Sequence, residues 1–189
     1  MRNLTREDRI DMFRDLMHPY VSEKFLTWLI ENGFFDAPAS TKYHGSYPGG
    51  LFDHCYVVTR TLIGLTKDCN LSWWRAESPY LVGMFHDLCK IDCYQHPVTG
   101  LIADGKPIYD LDSWEYSKNM GLKGHGDKSI MLLSMHTTLT EEEIMCIRYH
   151  MGAFTDKEEW RDYTNAVKNF PNALWTHHAD MLASHVSGV

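Results

Sequence analysis

The chain has 189 residues, 44% apolar and 23% charged, with a formal charge of −7 and five cysteines. A chain of this length is expected to form one domain over 1–189 with a core of its own, needing neither disulfides nor structural metals. The acidic balance argues against a broad basic surface for duplex DNA or long RNA but leaves room for a small anionic substrate in a local pocket. No apolar run reaches the roughly 18 residues of a membrane span. The opening MRNLTREDRIDMFRD has no signal-peptide pattern. The cysteines (55, 69, 89, 93, 146) form no C-x-x-C pair, which predicts reduced thiols in the cytoplasm. Oligomeric state is not readable at this level. The unusual count is eleven histidines.

In chain order, Thr5 and Asp8 resemble a capping box, followed by Ile10, Phe13, Leu16 and Met17 on one helical face. A second helix is predicted over about 20–32, with Val21, Phe25, Trp28 and Leu29 inward and Gly33 as its stop. The Gly- and Pro-rich APASTKYHGSYPGG reads as a loop. From Leu51 a third helix aligns His54, Val58, Leu62 and Leu65 on one stripe. A fourth is expected to start after Asn70 or Ser72 and to end near Cys89. In GLIADGKPIYDLDSWEY an Asp-Gly turn between short β-like runs predicts a small hairpin, within an insertion over about 91–124. An insertion of that length suggests a lid or binding loop, whose Tyr109, Trp114 and Tyr116 could stack on a base or pack the hairpin itself. Thr140 and Glu143 form a second capping box, opening a helix with Ile144, Ile147 and His150. DKEEWRDYTNAVKNF reads as a further helix, and Pro171 suits the first turn of the last one. The fold class is therefore all-α with one small β-hairpin-like insertion.

Within this frame, YLVGMFHDLCK ends an apolar run on His86 and Asp87. Alone, the pair reads as a helix end, where an imidazole suits the dipole and an aspartate bonds its own backbone. Other histidines and an aspartate also stand among apolar neighbours: His54, His150 in IRYHMG, and Asp180 in HHADMLASH. His125 stands in KGHGDKS. A buried carboxylate such as Asp180 is costly unless paired or bound to a metal. Adjacent helical residues point about 100° apart, so His86 and Asp87 can serve one centre only near a helix end.

The series His54, His86-Asp87, His125, His150, Asp180, carried by TKYHGSYPGGLFDHCYVV, FHDLCK, GHGDKS, IRYHMG and HHADMLA, resembles the HD-domain superfamily of metal-dependent phosphohydrolases. The resemblance runs from about Phe35 to Ser184. It implies an HD-domain helical bundle with the metal in its core. It also implies that His54, His86, Asp87 and Asp180 hold one divalent ion, while His125 and His150 add a second that Asp87 bridges. Imidazole mixed with carboxylate suits manganese, iron, cobalt, nickel or zinc. The expected function is hydrolysis of a phosphate ester or anhydride of a nucleotide or related small phosphorylated substrate, with Asp87 orienting the nucleophile. Lys90 reads either as a phosphate contact or as a cation at a helix end. Lys128, three residues after His125, and Lys42, Tyr43 and His44 in the Gly-rich loop are candidate substrate contacts. Arg148 should point away from the metals. The alternatives are a nucleotide or oligonucleotide phosphodiesterase, a di-iron oxygenase of the same fold, and a non-catalytic binding module with a structural metal.

Overall fold

The computed structural model describes residues 1–118 and 124–189. Thr5 and Asp8 make the reciprocal capping box their spacing predicts, and α1 follows over Arg6–Met17 with Ile10, Phe13 and Met17 buried. Ser22 caps α2, Glu23–Glu31, which buries Phe25, Leu26 and Leu29. Trp28 is only half-buried. The long α3, Gly50–Asp68, buries His54, Val58 and Leu62 of the expected stripe, whereas Leu65 is only half-buried.

Then comes α4, which is shorter than the periodicity predicts, Ser78–Phe85 rather than about 70–89. Its start is set late because Pro79 belongs in a first turn. The preceding segment is also tied elsewhere: Asn172 donates to the Ser72 carbonyl, and the Trp74 amide donates to Glu142. The helix ends before the ligand pair. His86 still donates its amide to Val82, whereas Asp87 leaves helical geometry (φ −105°, ψ 17°) and a 3₁₀ turn, Leu88–Asp92, takes over.

The insertion carries two short antiparallel pairs. Strands β1 (Tyr94–Gln95) and β4 (Glu115–Tyr116) bracket β2 (Val98–Leu101) and β3 (Pro107–Tyr109). The expected turn lies between β2 and β3, with Gly105 at φ +83°. Part of the insertion as bounded from sequence, 119–123, lies outside the described residues.

The remaining helices are α5 (His125–Ser134), α6 (Glu141–Arg148), α7 (Trp160–Asn169) and α8 (Asn172–Leu182), the last continuing into a π-helical turn over Ala183–Ser187. The second capping box is present at Thr140 and Glu143, but α6 stops at Arg148, so His150 follows the helix rather than ending it. Among the described residues no helix is long and apolar enough to cross a membrane. All five cysteines are free thiols. The architecture is mainly α-helical with two minimal sheets.

The core that positions the site is aromatic. Phe13, Phe34, Phe35 and Phe52 pack mostly edge-on, with ring centroids of 5.6 Å for Phe13–Phe35 and 5.3 Å for Phe34–Phe35. Phe85 joins them from the last residue of α4. Each such pair is worth about 0.5–1.5 kcal/mol beyond area burial. The helix carrying His54 packs against both α4 and α8. Gly83 allows α4 to approach closely, since a Cβ there would lie 2.6 Å from the Thr59 Cα on α3. That approach brings His86 to His54.

Candidate metal centre

Four histidines and two aspartates converge between α3, the end of α4, the start of α5, the segment after α6, and α8. His54, His86, Asp87 and His150 are almost fully buried, Asp180 mostly so, and His125 is about one-third exposed. Three overlapping groups (His54, His86, Asp87; His86, His150, Asp180; Asp87, His125, His150) each bring their ligand atoms within 4.8 Å of one another and could hold a metal ion.

The backbone fixes how the rings present themselves. Nδ1 of His54 bonds the main-chain oxygen of Val189 at 3.0 Å, that of His86 bonds Gly83 O at 2.8 Å, and that of His150 bonds Ile147 O at 2.7 Å. A main-chain oxygen only accepts, so each Nδ1 carries a proton and each Nε2 turns inward, its lone pair available whenever the ring is neutral. The Nε2 atoms of His54 and His86 then face one another at 3.2 Å. Two lone pairs at that distance repel unless a cation or proton lies with them.

The carboxylates complete the arrangement. Asp87 Oδ2 is 2.7 Å from the Lys90 ammonium, 3.5 Å from His86 Nε2 and 3.6 Å from His54 Nε2. Its Oδ1 lies on the other side, 3.2 Å from His125 Nε2 and 3.5 Å from His150 Nε2. Asp180 Oδ1 is 3.2 Å from His54 Nε2 and accepts from Ser184 Oγ at 3.2 Å. Among the described residues, Asp87 Oδ1 and His150 Nε2 are buried with no hydrogen-bond partner. Orphaned buried acceptors are costly. A divalent ion would satisfy both at once, so these residues fit a metal on their own geometry.

Electrostatics keep the donors ready. Burial would raise the Asp87 pKa, but the adjacent Lys90 ammonium and His86 override it and hold the carboxyl well below the usual range. Burial likewise opposes ionised Asp180, and the His54 contact outweighs it. Burial lowers His86 to about 3, leaving it neutral and able to donate to a metal. At His150 burial favours the neutral ring, yet the Asp87 carboxylate wins and raises its pKa. Lys90 is raised as well, since Asp87 more than offsets desolvation.

A cavity of about 720 Å³ opens over this cluster, reached by Asp87, His125, Asp180 and Lys90. Of the candidate substrate contacts, Tyr43 and His44 line it, with the His44 ring 5.0 Å from that of His54. Lys42 is exposed and is not in its wall. Lys128 is buried and ion-paired with Asp92, also outside the wall. Arg148 is held by Asp127 and Glu159, away from the ligand atoms as expected. No described residue of the insertion lines the cavity: Trp114 stacks on His96, Tyr116 packs beside Tyr94, and Tyr109 is exposed.

Residues not singled out from sequence, Met151, Phe154, His177 and Met181, form much of the wall. A signal for His177 was present, because it precedes Asp180 by three residues and so shares its helical face. No protein-family model, curated protein or solved structure matches the chain. The chemistry is therefore read from the site's own atoms.

Proposed function

We propose that this chain is a metal-dependent phosphohydrolase of the HD-domain type, cleaving a phosphate ester or anhydride of a nucleotide or similar small phosphorylated molecule. One observation carries the reading: inward-facing imidazole lone pairs meet the two oxygens of Asp87, one oxygen toward His54 and His86, the other toward His125 and His150. That division suits two ions: His54, His86, Asp87 and Asp180 would hold one, and Asp87, His125 and His150 the other. Nitrogen and carboxylate donors without thiolate favour manganese, iron, cobalt, nickel or zinc over calcium.

When bound, divalent ions supply Lewis acidity toward phosphoryl oxygen and lower the pKa of a coordinated water toward neutrality. The chain's own residues do the positioning. Lys90 fixes the Asp87 carboxylate through Oδ2 and leaves Oδ1 free. The main-chain oxygens of Gly83, Ile147 and Val189 keep three imidazoles from turning. Asp87, held ionised by Lys90, can orient a nucleophilic water by accepting a hydrogen bond from it. Lys90, in the cavity wall, lies where it can also offset charge on a phosphoryl oxygen.

The test pairs metal analysis of anaerobically purified protein with phosphate release from nucleotides and phosphodiesters in added Mn²⁺, Co²⁺ or Fe²⁺. The expected result is about two ions per chain and metal-dependent hydrolysis that Asp87→Asn lowers by at least about a hundredfold. Metal binding with no turnover of any phosphate ester would sink the reading.

A further inference from the structure

We infer, resting on the hydrolase reading above, that the ligand of this cavity carries a single phosphoryl group on a flat, uncharged body, and that the body lies against Met151, Phe154 and Met181. The cavity is far larger than one phosphoryl group needs and lies within the range of small-molecule sites, roughly 300–1,000 Å³. Its ligand-bearing floor is polar, but its lining also includes two thioethers and an aromatic ring, Met151, Met181 and Phe154.

That wall is held in place. Gly152 sits at φ +56°, and a Cβ there would lie 2.4 Å from the His177 ring, so ring and backbone are in direct apposition. His177 in turn bonds the His150 carbonyl through Nδ1 at 2.9 Å. The Phe154 ring stands edge-on to it at 6.5 Å, with 64% of the residue exposed. Methionine and phenylalanine surfaces of this kind favour flat apolar or aromatic partners.

Charge argues the same way against a polyphosphate. Among the described residues, Lys90 is the single lysine or arginine in the cavity wall, and its charge is already shared with Asp87 at 2.7 Å, which leaves it at most one phosphoryl group to serve. The cavity adjoins a recess of about 220 Å³ that shares His125, Met151 and Phe154. A second or third phosphate extending there would meet Asp127, Asp156 and Glu159. The recess's one guanidinium, Arg148, is already held by Asp127 at 2.6 Å and Glu159 at 3.0 Å. Like charges brought together at a binding surface oppose binding. With no further cation to meet a second phosphate, the apolar lining of Met151, Phe154 and Met181 is the surface left to bind the body of the ligand.

The experiment measures binding of non-hydrolysable probes to the Mn²⁺-loaded chain at fixed free Mn²⁺. The probes are phenylphosphonate, methylphosphonate and methylenediphosphonate. Alongside these, kcat/KM is measured for a nucleoside monophosphate and its triphosphate. The expected result is phenylphosphonate at least about tenfold tighter than methylphosphonate. Methylenediphosphonate should bind no tighter than methylphosphonate. Phe154→Ala should reduce the aryl preference to about threefold or less, in protein whose circular dichroism spectrum matches that of the unsubstituted chain. A tenfold preference for the triphosphate or the diphosphonate, or an aryl preference that survives Phe154→Ala in folded protein, overturns the inference while leaving hydrolysis intact. Aryl-selective binding without turnover of any ester instead removes the hydrolase reading and supports the ligand class.

Discussion

At His150 a proton and a divalent cation compete for one lone pair. Asp87 raises the pKa of this ring, so below that raised value the site holds a proton that a metal must displace. Metal binding near pH 6 is therefore expected to release a proton from His150, and the release should fade as the pH rises past the His150 pKa. His86, held to about 3 by burial, contributes none in that range. Calorimetric titration of Mn²⁺ in two buffers of different ionisation enthalpy measures the release, and His150→Ala should reduce it by about one proton per chain. Heats at pH 6 that lose no buffer dependence in that variant would contradict the assignment. At this scale the sequence was informative where polar chemistry interrupts an apolar stripe, as at His54. It was silent on Met151 and Phe154, because ordinary apolar residues give no sign of whether they face a core or a cavity.

The helix that carries His54 is anchored at its start by an ion pair buried almost completely. Arg9 of α1 donates to both oxygens of Asp53 at 2.8 and 3.0 Å, and the Tyr47 hydroxyl donates to the same carboxylate at 2.9 Å. Removing the guanidinium leaves Asp53 charged in the interior, a loss typically of about 3–5 kcal/mol. Arg9→Ala should lower the urea midpoint accordingly, and a change under about 1 kcal/mol would show that the clamp does not hold α3. Periodicity could not reveal this contact, since a charged residue next to a capping box reads as solvated. The same blind spot covers Glu142 and Glu143, both buried. Glu142 receives Trp74 and Asn172, and Glu143 receives Arg75 and Ser78. Capping boxes and glycine stops were legible because they act within a few residues. The start of α4 was not, because it depends on partners as distant in sequence as Asn172.

Across the whole molecule the ligands join segments from His54 to Asp180, while the phenylalanine cluster around Phe13, Phe34 and Phe35 is held by ring contacts that involve no ligand side chain. Folding and metal binding should thus be coupled without being inseparable. The metal-free chain is expected to stay folded, as its length and core allow, and loading should stabilise it by linkage. An ion bound only by the native state adds about 2.7 kcal/mol at a hundredfold excess over its Kd. For a chain of this size that corresponds to a rise in Tm of roughly 5–11 °C. Chelation should reverse the rise, and Asp180→Ala, which takes the ligand on α8 from the set, should diminish it. Thermal scans with graded Mn²⁺ check this directly. A Tm indifferent to metal would mean that the convergence of these six side chains does not bind an ion in the native state. A chain that unfolds on chelation at room temperature would instead show that the aromatic core cannot hold the fold without the centre.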